Sequence, residues 1–267
     1  MKRILVCLSI LTLLVGIYTY LYHRWSHLWE QESPVEHYTI NRISDDTVRV
    51  AMIGDSWAGM HHGAGMEKYI ENHLSQKLRR PVKCLSDGKG GAKTKEIYNL
   101  LFSEKEIVFK RLLSGGADYC IISAGINDAA ANLGTEQYLY YYGLILDILS
   151  KNGIRSIVLE VPDVDIWHIY GEKPLKDLFV DFLKSTMTHC GMYHFPEYRE
   201  ALIEMLNTKE WEGKYLYIPM SEWNKTGSEI NEILFLPDKI HLNRRGYERM
   251  DSCIVNAICR DVIRRAD

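Results

Sequence analysis

Three residues far apart in the chain have the types that acyl transfer requires. Ser56 closes the tripeptide Gly54-Asp55-Ser56, directly after the apolar run Val48-Arg49-Val50-Ala51-Met52-Ile53. A β-branched stretch ended by a small polar turn reads as a strand that delivers a hydroxyl to a sheet edge. Far downstream, Asp238-Lys239-Ile240-His241 places an acid three residues before a histidine. A hydroxyl is a weak nucleophile until a base within hydrogen-bond reach takes its proton. An imidazole serves as that base when a carboxylate fixes its tautomer. Ser56, His241 and Asp238 are therefore the candidate nucleophile, base and orienting acid.

The elements between them must bring these groups together. Apolar runs predict strands over Val48–Ile53, Pro81–Leu85, Tyr119–Ser123, Ile154–Val161 and Tyr215–Ile218. Apolar residues recurring on one helical face predict helices over Met66–Leu78, Thr94–Leu113, Thr135–Ser150, Leu175–His189, Glu197–Asn207 and Arg244–Arg264. Gly115-Gly116 and Asn152-Gly153 are helix stops. Strands alternating with helices at short spacing predict an α/β layered domain with a mainly parallel sheet. Sites in such sheets gather at the carboxyl ends of the strands. Ser56, Gly91 and Asn127 each follow a predicted strand, so one edge is expected to collect them.

Four segments occur in order: Gly54-Asp55-Ser56, the glycine loop Ser86-Asp87-Gly88-Lys89-Gly90-Gly91, Gly125-Ile126-Asn127-Asp128, and Asp238-Lys239-Ile240-His241. Together they resemble the conserved blocks of the SGNH (GDSL) hydrolases. The likeness covers roughly residues 48 to 265, although Asp163 to Phe235 carries no motif of that family. The resemblance implies a three-layer sandwich around a mainly parallel sheet, flavodoxin-like in plan. It also implies a Ser56–His241–Asp238 triad working without metal or organic cofactor. It assigns the oxyanion hole to the backbone N–H groups of Ser56 and Gly91 and to the side-chain amide of Asn127. Gly90 is an alternative to Gly91 in that role.

Other residues near these blocks have plainer readings. Asp55 is expected to cap or brace its turn, and Asp128 to cap the segment that follows it through an Asx-type bond. Gly88 and Gly90 are assigned to turn geometry. His61 and His62 are expected at the rim or at a helix start, not as metal ligands. Trp57 is either a substrate floor or a packing residue. Trp167, His168, Tyr193, His194 and Trp223 fit packing better than stacking on a sugar. Ser56 does not lie in the Gly-x-Ser-x-Gly elbow of α/β-hydrolases.

Of the 267 residues, 46% are hydrophobic and 25% charged, and the net charge is −3. The absence of a long basic block speaks against nucleic acid as a partner. The six cysteines lack the spacing of a disulfide framework or a zinc site, although one bridge through Cys84 or Cys190 is left open. Lys2-Arg3 precede 19 uncharged residues, Ile4 to Tyr22, with Tyr18, Tyr20, Tyr22, Trp25 and Trp29 at their far end. At about 1.5 Å per residue this run spans about 28 Å, close to a bilayer core. Gly16-Ile17-Tyr18-Thr19 makes a poor cleavage site, so residues 1–24 are read as an uncleaved signal anchor. Residues 25–45 are then a linker and residues 46–267 an extracytoplasmic catalytic domain, secreted if the segment is cleaved. The expected activity is hydrolysis of a small acyl ester, O-acetyl on a glycan being the first candidate. One alternative is an acyltransferase for envelope polysaccharide, supplied by a membrane acyl donor. The lesser alternative is a non-catalytic carbohydrate-binding or scaffold domain.

Overall fold

The computed structural model describes residues 2–24, 43–103, 113, 116–164, 172–224 and 232–266. Its centre is one sheet of five parallel strands: β1 (Val48–Gly54), β2 (Val82–Gly88), β3 (Tyr119–Ser123), β4 (Arg155–Leu159) and β5 (Tyr215–Ile218). Their order is β2-β1-β3-β4-β5. Every residue of β3 is buried, as are Ser156–Leu159 of β4. That double-sided burial explains their unbroken apolar sequences.

The helices are α1 (Lys2–Tyr22), α2 (Ser56–Gly63), α3 (Glu67–Leu78), α4 (Thr94–Leu100), α5 (Ile126–Ala130), α6 (Thr135–Lys151), α7 (Leu175–Thr188), α8 (Phe195–Leu206) and α9 (Arg244–Ala266). The contacts of α3 with α9 form one layer, and those of α6 with α4 and α8 form the other. The protein is thus a three-layer α/β sandwich. α6 buries Tyr138, Tyr141, Tyr142, Ile145 and Leu149 on one stripe, as its periodicity requires.

Two differences from the sequence reading have local causes. The helix predicted over Thr94–Leu113 ends at Leu100, where Leu101 and Phe102 bond back three residues to Tyr98 and Asn99. Such tightening commonly terminates a helix. Residues 104–112 of that prediction lie outside the described residues. Short helices α2 and α5 begin within the motifs themselves, where only turns were expected. All six cysteines are free, including buried Cys84 and Cys190.

α1 is a membrane-span candidate by length and composition. Arg3–Tyr22 has a mean hydropathy of 2.3, and none of its hydrophobic window is buried in the protein.

The register aligns Gly54 of β1 with Gly88 of β2 and Ser123 of β3. Outward from β1 the chain goes to opposite sides, so the crevice beyond these three residues is the topological switch point. A Cβ on Gly54 would lie 2.2 Å from the Ser123 carbonyl oxygen. Only glycine permits this approach, which brings the Asp55 N–H onto the Ser123 carbonyl at 3.1 Å. Gly54→Ala is expected to lower stability by about 3 kcal/mol through backbone displacement, read as a lower denaturation midpoint with an unchanged slope.

Candidate active site

Ser56 is the first residue of α2, immediately beyond β1. Asp55 is the N-cap of that helix, its Oδ1 accepting from the Trp57 N–H at 3.0 Å. This is the bracing role expected of Asp55. The Ser123 hydroxyl donates to the same oxygen at 3.1 Å, while Oδ2 is buried without a hydrogen-bond partner among the described residues. Burial, opposed by those two donors, pushes the Asp55 carboxyl up to about 6.

His241 is delivered by a knot of backbone bonds at the other end of the chain. Phe235 pairs with Leu242, and the Leu236 N–H donates to the His241 carbonyl at 2.7 Å. Asp238 Oδ1 accepts from the N–H groups of Ile240 and His241 at 2.9 and 3.0 Å. Lys239 between them is held at φ +57°. Asn243 closes the segment, its Nδ2 donating to the carbonyls of Ile233 and Phe235. Its Oδ1 accepts from the Gly246 N–H near the start of α9.

The result is a linear relay. Asp238 Oδ2 lies 2.7 Å from His241 Nδ1, and His241 Nε2 lies 2.9 Å from Ser56 Oγ. A carboxylate only accepts, so Nδ1 carries the proton and Nε2 is left to accept from the serine hydroxyl. Partial burial pushes the Asp238 carboxyl up. The His241 ring and the two backbone N–H groups outweigh that effect and leave it below the ordinary carboxylate range. Asp238 is therefore ionised at neutral pH, as an orienting acid must be.

The Gly91 loop is tied to the nucleophile turn, the Lys89 N–H donating to the Gly54 carbonyl at 3.1 Å. Ala92 N–H bonds to the Lys89 carbonyl, and Gly91 sits at φ +73°. That is the positive angle a type II turn demands at its third residue. Gly90 and Gly91 both face open space. Asn127, on α5 just past β3, donates through Nδ2 to the Ala92 carbonyl at 3.0 Å. One N–H of its amide is thus fixed on the Gly91 loop. The structure brings Ser56, Gly91, Asn127, His241 and Asp238 to the same edge of the sheet.

Among the neighbouring residues, Asp128 and His61 depart from their sequence readings, Tyr193 and Trp223 take the packing roles expected of them, and Trp57 takes the packing one of its two readings. Asp128 does not cap the segment that follows it. Its carboxylate reaches back to accept from the N–H and hydroxyl of Thr94 at the start of α4. Burial, opposed by Thr94, pushes this carboxyl up to about 6 as well. His61 is neither at the rim nor at a helix start. It is fully buried in the last turn of α2, between the Ser86 hydroxyl at 2.8 Å and Asp251 Oδ2 at 3.2 Å. His62 is exposed and meets Glu67 at 2.6 Å. Trp57 packs edge-on against Trp223 and Phe235, and its Nε1 donates to the Ile240 carbonyl at 3.1 Å. The Tyr247 hydroxyl of α9 donates to the Trp57 carbonyl at 2.9 Å. Trp57 is thus a brace between α2 and the histidine loop. Tyr193 and Trp223 are buried, whereas His194 is half-exposed beside Glu197. Trp167 and His168 lie outside the described residues. Ser123, Thr94, Asn243 and Tyr247 are not legible in the sequence, because each acts through a partner dozens of residues away or through a loop bond without a sequence signature.

A separate cleft of about 370 Å³ opens at the other edge of the sheet, lined by Arg49, Arg80, Asp118 and Arg265. Its arginines are already matched, to Asp45, Asp46 and Asp261 respectively. It is not an evident anion site.

Among solved structures, an acetyl-xylooligosaccharide esterase from Geobacillus, as a point variant, superposes with a TM-score of 0.54 at 13% identity, over 79% of this chain and 94% of that one. A GDSL-like lipase from Bacteroides thetaiotaomicron gives 0.51 at 16% identity, over 90% and 98%. A lipase from a goat rumen metagenome gives 0.50 at 16% identity, over 79% and 97%. No protein-family model and no curated protein matches the sequence. At these identities the likeness establishes the fold.

Two outcomes test this geometry. Trp57→Phe removes the bond to Ile240 and is expected to lower kcat/KM about tenfold, mainly in kcat, in steady-state ester kinetics. Asp55 favours its neutral form in the folded state, so its contribution is full below about pH 4 and fades as pH rises through about 6. The melting temperature of Asp55→Asn relative to the unsubstituted protein should therefore climb between those pH values and level off above them.

Proposed function

With the SGNH-hydrolase fold as its premise, we propose that this chain is a serine esterase acting on a small acyl ester. The observation that carries the proposal is the Asp238–His241–Ser56 relay at 2.7 and 2.9 Å, built from segments 185 residues apart. His241 Nε2 takes the Ser56 proton as Oγ attacks the acyl carbon. The carbonyl oxygen becomes an oxyanion. The N–H groups of Ser56 and Gly91 and the second amide N–H of Asn127 are its donors. The Ser56 N–H belongs to the first turn of α2, whose dipole favours negative charge there.

Collapse of the intermediate breaks the ester C–O bond, and the alcohol leaves with the proton held by His241. Water then loses a proton to His241 and attacks the acyl-enzyme, releasing the acid and restoring the Ser56 hydroxyl. Asp238 stays ionised throughout and stabilises the transient imidazolium.

The substrate we favour is an acetyl ester on a glycan. The esterase from Geobacillus, named for acetylated xylooligosaccharides, supports an acetyl group by analogy of fold. α1 supports a domain tethered outside the cytoplasmic membrane. The same tether favours a second reading, in which a glycan hydroxyl intercepts the acyl-enzyme in place of water. Product analysis with a glycan acceptor separates the two, since transfer outrunning hydrolysis identifies the transferase.

On p-nitrophenyl acetate, Ser56→Ala and His241→Ala are each expected to lower kcat by about 10⁴-fold or more. Asn127→Ala should lower it by about 10²–10³. Undiminished turnover in either of the first two variants overturns the mechanism.

A further inference from the structure

α7 is mounted with the wrong face inward. Its buried residues are Asp181 and Met187. Leu175, Phe179 and Phe182, spaced to share one stripe, are 83%, 60% and 55% exposed. A helix on the surface of a water-soluble domain ordinarily buries that stripe and exposes its charges. Here the attachment is polar. Asp181 accepts from Lys173 Nζ at 2.7 Å and from the Tyr193 hydroxyl. Lys173 also donates to that hydroxyl at 3.1 Å and lies over the Tyr193 ring. A desolvated carboxylate held in this way fixes the rotation of the helix, so the outward direction of the stripe is built in.

The chain itself supplies the occupant that best fits. On the reading of α1 as an anchor, residues 23–47 join the bilayer to β1. Fully extended they reach at most about 90 Å. This tether keeps every face of the domain within range of the membrane surface and raises the effective concentration of any weak contact with it. Two phenylalanines and a leucine on one stripe, flanked by exposed Lys176 and Asp177, form the apolar face and charged border of a helix that lies in the headgroup region.

We infer that α7 docks onto the bilayer through Leu175, Phe179 and Phe182, giving the tethered domain a second membrane contact. The carboxyl end of α7 is fastened to the loop after Asn127. Thr188 packs on Gly134, and Cys190 Sγ accepts from the Thr135 N–H at 3.3 Å. Docking therefore fixes the domain through the same segment that follows the Asn127 helix. The inference rests on the anchored reading above.

The full chain, reconstituted into phosphatidylcholine–phosphatidylglycerol vesicles doped with a diazirine phospholipid, is irradiated, and lipid adducts are mapped by peptide mass spectrometry. Adducts are expected on α1 and on the α7 peptide. In the Phe179→Asp/Phe182→Asp double variant, the α7 adducts should fall at least tenfold. Adducts on α1 and turnover of a soluble ester should stay unchanged, showing an intact fold. Adducts on α1 alone overturn the inference and leave the anchor standing. Adducts on neither segment remove the anchor and the docking together. Cross-linking of α7 to a second copy, in place of lipid, assigns the stripe to self-association and also overturns the inference.

Discussion

The candidate site is held by one buried indole. Trp57 follows the nucleophile directly, and two of its three polar groups, the indole N–H and the backbone carbonyl, are used by the carboxyl-terminal segment. Nε1 bonds the carbonyl of Ile240, and the carbonyl of Trp57 accepts from Tyr247. Ser56 and His241 are 185 residues apart, and loop closure over that distance opposes their meeting. The indole is buried against Trp223 and Phe235, where an unmet N–H would be costly. This gives the histidine loop one favoured position against α2. His61 adds a deeper tie at the far end of the same helix, joining it to Ser86 of β2 and Asp251 of α9.

The acids around the site divide by environment. Asp55 and Asp128 are buried, and burial lifts both toward neutrality. One caps α2, and the other reaches across to cap α4. They hold the turns that carry Ser56, Gly91 and Asn127 in place. Asp238 is the half-exposed acid, held ionised by the imidazole and two backbone donors. A carboxylate that must stay charged beside a transient imidazolium belongs where water still screens it, and the structural carboxyls belong where it does not.

Much of this was legible in the sequence because it rests on local or periodic signals. β3 and β5 occupy the predicted spans, since fully buried β3 and half-buried edge strand β5 both read as continuous apolar runs. The convergence of Ser56, Gly91 and Asn127 follows from strand–loop order alone. The spacing of Asp238 and His241 already limits them to one loop. The unread features depend on distant partners. Nothing near Asp128 points to Thr94, and nothing near His61 points to Asp251. Trp57 was undecided between floor and packing because its decisive contact lies on the histidine loop. α7 illustrates another limit: its apolar period correctly marks a helix but does not reveal which side meets the protein.

The order of the parts along the chain has a consequence for biosynthesis. The serine turn and its glycine neighbours are synthesised well before the histidine, and β1 can pair with β2 and β3 in the interval. His241 follows 185 residues after Ser56, on a loop that needs α9 to close it. In the proposed mechanism, a polypeptide clipped before His241 would carry a hydroxyl without its base and stay inert toward esters. Competence would then come only when the histidine loop docks on α2 and its imidazole reaches the waiting alcohol.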